Sequence, residues 1–257
     1  MSRDHRFLVA PEEIDDVRAV IRGEELHHLA HVLRLRAGDE VRIFDGRGRG
    51  FHARIDSIGR SEAIALIGAP EDPGVEPACR AVLLQGIPHG ERMDWIVEKA
   101  TEIGAAAIVP VLGARSVVRP RSGGWSKVDR WRRIALAAAK QSGRLVVPEV
   151  AEPISFADAL RWGPGDPADL RLWTRLIFHP GAASCVPLDP SGAAAGAFPS
   201  AGAALLVGPE GGWTDEEVAS AAGAGWSPAG LGRRILRADT AAVVALGILL
   251  LAERRGG

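Results

Sequence analysis

The residues best able to do chemistry fall in a few short stretches. Gly208-Pro209-Glu210-Gly211-Gly212 follows the apolar run Leu205-Leu206-Val207 and precedes Thr214-Asp215-Glu216-Glu217, so it reads as a glycine turn between a buried strand and a helix start. Glycine turns of this kind hold phosphates when the spacing is G-x-G-x-x-G, or when Gly-Lys is followed by Ser or Thr, because backbone N–H groups then converge at a helix start. Neither spacing is present, Pro209 removes a donor and Glu210 adds an anion. The turn is therefore expected to repel a polyphosphate. It suits a ligand that is neutral or cationic near the turn and comes close enough to the backbone to require Gly211 and Gly212. A second stretch, Leu231-Gly232-Arg233-Arg234-Ile235-Leu236-Arg237-Ala238-Asp239-Thr240, sets a guanidinium and a carboxylate two positions apart ahead of an apolar helix. A third places His27 and His31 one helical turn apart beside His28. No third or fourth ligand follows at a usual metal spacing, so exposed histidines on a packed helix are expected and no metal.

These residues need elements to position them. Gly68 to Pro77 combines prolines and glycines without periodicity and marks a linker. Before it, residues 39–46, 51–55 and 63–67 alternate or cluster apolar side chains between turn residues, as short antiparallel strands do. Asp45-Gly46 with Gly48 and Gly50 signals a hairpin with Arg47 and Arg49 at its tip. After the linker, strands alternate with helices, which implies an α/β domain built on a mainly parallel sheet. Strands are expected at 81–84, 106–111, near 170–178 and at 204–207. Helices are expected through Met93–Ile103, closed by Gly104, and from about 127 to 142. Thr214 with Glu217 forms a capping box, and residues 189–204 read as a surface loop without chemistry. The division is thus 1–70, a β-rich domain; 71–78, a linker; and 79–257, an α/β domain.

Composition narrows the class. The 257 residues are 47% hydrophobic, enough for a substantial core. The first residues lack the apolar run of a signal peptide, Cys79 and Cys185 are too few for a disulfide framework, and the apolar run 241–252 falls short of the roughly 20 residues that span a bilayer. A cytoplasmic protein with no membrane segment is expected. All but Lys99, Lys127 and Lys140 of the 31 basic residues are arginine, and asparagine is absent. Arg115 to Arg144 contains one acid, Asp129, among many cations, either a polyanion-binding surface or a solvated helical face.

Six ordered motifs carry a resemblance over nearly the whole chain: "HHLAHVLRLRAGDEVRIFDGRG" from His27, "QGIPHGERMDWIVEKATEIGAAAIVPV" from Gln85, "RSVV" from Arg115, "AAAKQSGRLVVPEV" from Ala137, "LLVGPEGGWTDEEV" from Leu205 and "LGRRILRADTA" from Leu231. The sequence resembles the ribosomal small-subunit methyltransferase E family, within the SPOUT class of knotted methyltransferases. The resemblance implies a small N-terminal PUA-like β-barrel that helps bind RNA, a C-terminal domain tied in a trefoil knot, and a homodimer. It implies transfer of a methyl group from S-adenosyl-L-methionine to N3 of a uridine in 16S rRNA, in the 30S subunit. It also implies that the adenine lies against backbone of the glycine turn and of the "LG" and "IL" segments, which points to Gly208, Glu210, Gly211, Leu231, Gly232, Ile235 and Leu236. A sulfonium cation without phosphate suits an acidic turn.

The implied reaction needs a methyl donor held in line, loss of a proton from a weakly acidic imide, and stabilisation of the resulting anion. Arg237 is read as the stabilising group, because a guanidinium is a poor base but a good donor to a uracil carbonyl or a phosphate. Asp239 is able to take the proton and equally able to cap the last helix; His89 and Glu210 are further alternatives. Gln85 and Gln141 are the only side-chain amides. Gln141 and Arg144 are read as touching substrate or cofactor across the dimer, against the alternative of a capped helix end with a solvated Arg144. Phosphate contacts are assigned to Arg34, Arg36, Arg47, Arg49, Arg115, Arg119 and Arg121. The chain departs from the family pattern at Ala114, Ala238, Asp239 and His89, where glutamate, threonine, glutamate and a basic residue are usual. Two other readings stand beside this one. A knotted methyltransferase acting on a ribose 2′-hydroxyl would carry an early asparagine, which is missing, and a non-catalytic RNA-binding assembly factor would bind RNA without the cofactor.

Overall fold

The computed structural model describes residues 5–72, 74, 76–116, 127–163, 173–182 and 202–252. Arg119, Arg121 and most of the expected 189–204 loop lie outside them. The chain forms two compact units, Met1–Glu76 with Ala139–Val147, and Pro77–Ala138 with Pro148–Gly257.

The first unit contains β1 (Arg6–Leu8), β2 (Arg18–Ile21), α1 (Gly23–His27), β3 (Glu40–Phe44), β4 (Gly50–Ile58) and β5 (Ala63–Pro70). They make a five-stranded sheet in the order β1-β3-β4-β5-β2, with β1 parallel to β3 and the other pairs antiparallel. Strand alternation sets the core: on β4, Ala53 and Ile55 are buried while His52, Arg54 and Asp56 face water. The inward set meets Phe7, Leu29 and Ile43, all fully buried. The β3–β4 hairpin turns on Asp45, whose Oδ1 accepts from the Arg47 and Arg49 N–H groups at 2.8 and 3.0 Å and whose Oδ2 accepts from Arg49 Nε at 2.7 Å. Burial alone would raise this carboxyl's pKa, but the Arg49 side chain and the two backbone donors outweigh it and hold it below the ordinary range. Arg47 and Arg49 are exposed at the tip, Arg49 as the partner of Asp45.

Residues 139–147 complete this unit. Arg144 is 4% exposed, and its guanidinium donates to Glu76 at 2.7 and 3.1 Å, while the Leu145 and Val146 N–H groups donate to the other Glu76 oxygen. Neither a solvated Arg144 nor one free to reach substrate fits this arrangement: the side chain is an internal counter-ion. Val147 N–H then donates to Gly46 O at 3.0 Å, tying the segment to the hairpin.

The second unit contains β6 (Ala81–Gly86), α2 (Arg92–Ile103), β7 (Ala107–Leu112), most of α3 (Val128–Ser142), β8 (Glu149–Val150), β9 (Ile154–Ser155), α4 (Phe156–Arg161), β10 (Trp173–Phe178), β11 (Gly202–Val207), α5 (Asp215–Gly223), β12 (Ser227–Ala229) and α6 (Ala238–Ala252). The sheet is parallel throughout, ordered β12-β10-β11-β6-β7-β8, with β9 also pairing β7. Every residue of β6 and β11 is buried, which is why Ala81–Leu84 and Ala203–Val207 read as unbroken apolar runs rather than alternating ones. Helix α2 buries Met93, Ile96, Val97 and Ala100 and ends at Gly104, in the left-handed region at φ 115°. Helix α3 buries Val128, Trp131, Ala135 and Ala138, and Trp131 Nε1 donates to Asp94 at 3.0 Å. Among the described residues, no helix is long and apolar enough to cross a membrane.

Helix α5 starts on the expected capping box: Glu217 N–H donates to Thr214 Oγ1 at 3.1 Å and Thr214 N–H to Glu217 Oε2 at 2.8 Å. The other Glu217 oxygen accepts from Ala114 N–H at 2.8 Å, so one buried carboxylate fixes both the helix start and the loop after β7. Glu217→Ala removes the acceptor of the Thr214 and Ala114 N–H groups and is expected to destabilise the fold by about 1–2 kcal/mol, with Glu217→Gln intermediate, as read by urea unfolding.

Candidate active site

The carboxyl ends of β10, β11 and β12 open onto a cavity of about 520 Å³, with Phe178, Val207 and Ala229 as its floor. Open parallel sheets present ligand sites at this edge, and the volume falls in the range of small-molecule pockets. The glycine turn forms one wall, residues 231–237 form another, and Ala238 and Ala241 of α6 close the end.

The turn is held from three directions. Gly212 N–H donates to Pro209 O at 2.8 Å, and Gly212 has φ 66°. Gln85, fully buried at the end of β6, donates from Nε2 to the carbonyls of Gly86, Gly208 and Val207 at 2.9, 3.2 and 3.4 Å. Arg115 lays its stem against the Cα of Gly211 and donates to Gly211 O at 2.6 Å, so a side chain at Gly211 would meet the arginine at 3.2 Å.

The turn is not the anionic pocket its sequence suggests. Glu210 is paired with Arg92 at 2.6 Å and accepts from His89 N–H at 3.0 and 3.1 Å. The Arg92 charge offsets the carboxylate, so repulsion of phosphate by Glu210 does not discriminate among ligands here. What favours an uncharged aromatic ligand is the lining: Phe178, Val207, Leu231, Ile235 and Leu236 supply apolar surface around backbone groups of the turn. Gly232 has φ 94° and nothing within 4 Å of where a side chain would begin, so a ligand can reach its backbone directly.

All seven residues assigned to the cofactor line this cavity. Of the assigned catalytic pair, Arg237 lines it and Asp239 does not; Asp239 lies in the first turn of α6, past the N-cap position, and accepts from Thr240 N–H at 2.8 Å. Arg234 and Arg237 are exposed and, unlike Arg92, form no ion pair among the described residues. The sequence reading missed Arg92 and Arg234. A carboxylate on a turn packed against a strand end calls for a cation, and "HGERM" holds the one that answers Glu210.

The residues assigned to RNA do not gather at this cavity, Arg115 excepted. Gln141 is exposed and borders a second cavity of about 490 Å³ in the first unit, with Arg6, Arg42 and His52. Arg34 and Arg36 are exposed on the first unit, with Arg34 in the left-handed region at φ 56°.

Comparison with known proteins assigns this architecture. The model of an RNA methyltransferase domain matches residues 75–250, and that of an RNA methyltransferase PUA domain matches residues 21–68. The fold and cavity therefore define an RNA methyltransferase of the SPOUT class with a PUA-like N-terminal unit. The ribosomal RNA small subunit methyltransferase E of Synechocystis is 35% identical over 94% of this chain and 76% of its own, and that of Bacillus subtilis is 31% identical over 88% and 87%. The crystal structure of the Neisseria gonorrhoeae enzyme of the same name, bound to S-adenosyl methionine, superposes with a TM-score of 0.82 at 32% identity, over 96% of this chain and 97% of that one. A Legionella pneumophila methyltransferase solved with the same cofactor superposes at 0.80 with 29% identity, over 97% and 98%. The chain belongs to the ribosomal RNA small subunit methyltransferase E family.

Proposed function

We propose that this protein transfers a methyl group from S-adenosylmethionine to N3 of a uridine in 16S rRNA of the 30S subunit, in the cytoplasm and as a homodimer. One observation carries the reading: Arg237, an exposed guanidinium that forms no ion pair among the described residues, lines a cavity walled by the glycine turn. The cavity's residues fit the cofactor. Backbone at Gly208, Gly211, Leu231 and Gly232 would meet the adenine edge, with Ile235 and Leu236 against its face and Glu210 holding the turn through Arg92. Bound there, the cofactor supplies an electrophilic methyl group on a sulfonium sulfur. The uracil N3–H must pass its proton to solvent water for N3 to attack, which leaves negative charge on the flanking carbonyl oxygens. Arg237 donates to one of those oxygens and cannot itself act as base. Support for the dimer comes from Ile235, 84% exposed, and Trp95, 42% exposed, two large apolar side chains that a second copy would cover.

The test is a deletion strain. Nucleoside mapping of its 16S rRNA should show loss of one N3-methyluridine, restored by the wild-type gene, and purified protein should return the mark to small subunits from that strain. An unchanged modification profile would sink the proposal.

A further inference from the structure

We infer that His27 and His31 form a stacking platform for the bases of single-stranded RNA, flanked by phosphate contacts from Arg34 and Arg36. The inference rests on the RNA-modifying role proposed above and assigns a residue-level contact in the first unit. His27 and His31 are both exposed, and their rings lie 4.9 Å apart between centroids at 40°. The backbone beneath widens from α1 into a π-helical turn over His28–Val32, and His28 is anchored by an edge contact to buried Phe7 at 6.2 Å. Anchoring one histidine inward leaves the other two outward as a pair. The turn ends at Arg34, whose left-handed backbone is costly for an arginine and marks a geometry set by its surroundings.

Charge selects the partner. Several arginines of the unit are committed to carboxylates: Arg6 and Arg42 share Glu71, Arg22 bridges Glu13 and Glu62, and Arg49 holds Asp45. Arg34 and Arg36, like Arg47, Arg54 and Arg60, are exposed and form no ion pair among the described residues, and they are the ones that follow the histidine pair directly in the chain. No group of three metal-binding side chains occurs among the described residues. Exposed heteroaromatic rings, followed within a few residues by exposed arginines without an ion pair among the described residues, match unstacked RNA, whose bases stack on such rings while its phosphates take the cations.

Full-length protein would be titrated with a ten-nucleotide single-stranded RNA of mixed sequence carrying one 2-aminopurine, whose fluorescence falls on stacking. H27A/H31A should weaken binding roughly tenfold or more and abolish the quench, whereas H27F/H31F should bind within about threefold of wild type. R34A/R36A should lower the slope of log K against log salt by about 1.4, the value for two single-strand phosphates. S-adenosylmethionine affinity should be unchanged in all three. Wild-type affinity and quench in H27A/H31A would overturn the platform, as would a phenylalanine pair no better than alanine. Full RNA affinity with lost affinity for the 30S particle would overturn it in favour of a protein partner. A wild-type protein that binds the cofactor but no RNA would instead defeat the functional proposal.

Discussion

Replacing Arg237 by alanine is expected to slow methyl transfer by about 10²–10³-fold, roughly 3–4 kcal/mol of transition-state stabilisation, with S-adenosylmethionine affinity within about threefold of wild type. The separation follows from position. The apolar residues and turn backbone that would hold the cofactor are other residues of the cavity, while Arg237 lines it with an exposed guanidinium that forms no ion pair among the described residues. A donor there is worth little until charge develops on the uracil oxygens, which is the condition for an effect on rate rather than on binding. Arg237→Lys keeps the charge but loses the planar fork, so it should recover only part of the rate. Single-turnover kinetics on small subunits lacking the mark, beside calorimetry for the cofactor, checks both halves. A rate loss matched by an equal loss of cofactor affinity would move Arg237 from the reaction to the binding site.

What could be read from the sequence was what local chemistry decides. Gly104 as a helix terminator, Thr214 with Glu217 as a capping box and Asp45 as a hairpin turn each depend on residues within four positions, and the structure shows all three. Partners far apart in sequence were not legible. Arg144 and Glu76 are 68 positions apart, and Arg92 and Glu210 are 118 apart. Without the first contact, Arg144 looks like a solvated cation; without the second, Glu210 looks like the ligand's counter-charge. The acidic turn led to an uncharged or cationic ligand through an argument that the Arg92 pair removes, and the apolar lining supplies a better one. Residues 139–147 show the same limit, because their pairing with the hairpin tip depends on Glu76 and Gly46, which nothing in "QSGRLVV" announces.

The contact behind the turn sets the second large effect. Gly86→Ala is expected to reduce S-adenosylmethionine affinity by roughly 10- to 100-fold, because overpacking a tight contact under the binding turn costs about 1–3 kcal/mol. Gly86 ends β6 directly beneath the turn, and a methyl group there would stand 2.4 Å from Pro209 Cδ and 2.7 Å from Pro209 N. A proline ring and its own backbone cannot rotate aside as a long side chain does, so the strand or the turn must move. The strand is buried on both faces and paired with β7 and β11, and the movable part is therefore the turn. Displacing it strains the Gln85 contacts, the Glu210–Arg92 pair and the Arg115–Gly211 bond together, since all three attach to the same five residues. Gly212→Ala provides the contrast. Its φ of 66° makes alanine cost about 1–2 kcal/mol, yet nothing lies within 4 Å of the added carbon, so the turn keeps its place and affinity should fall by less than about tenfold. If Gly86→Ala binds the cofactor within threefold of wild type by calorimetry, the turn is not held by β6 and the account of how this site is positioned fails.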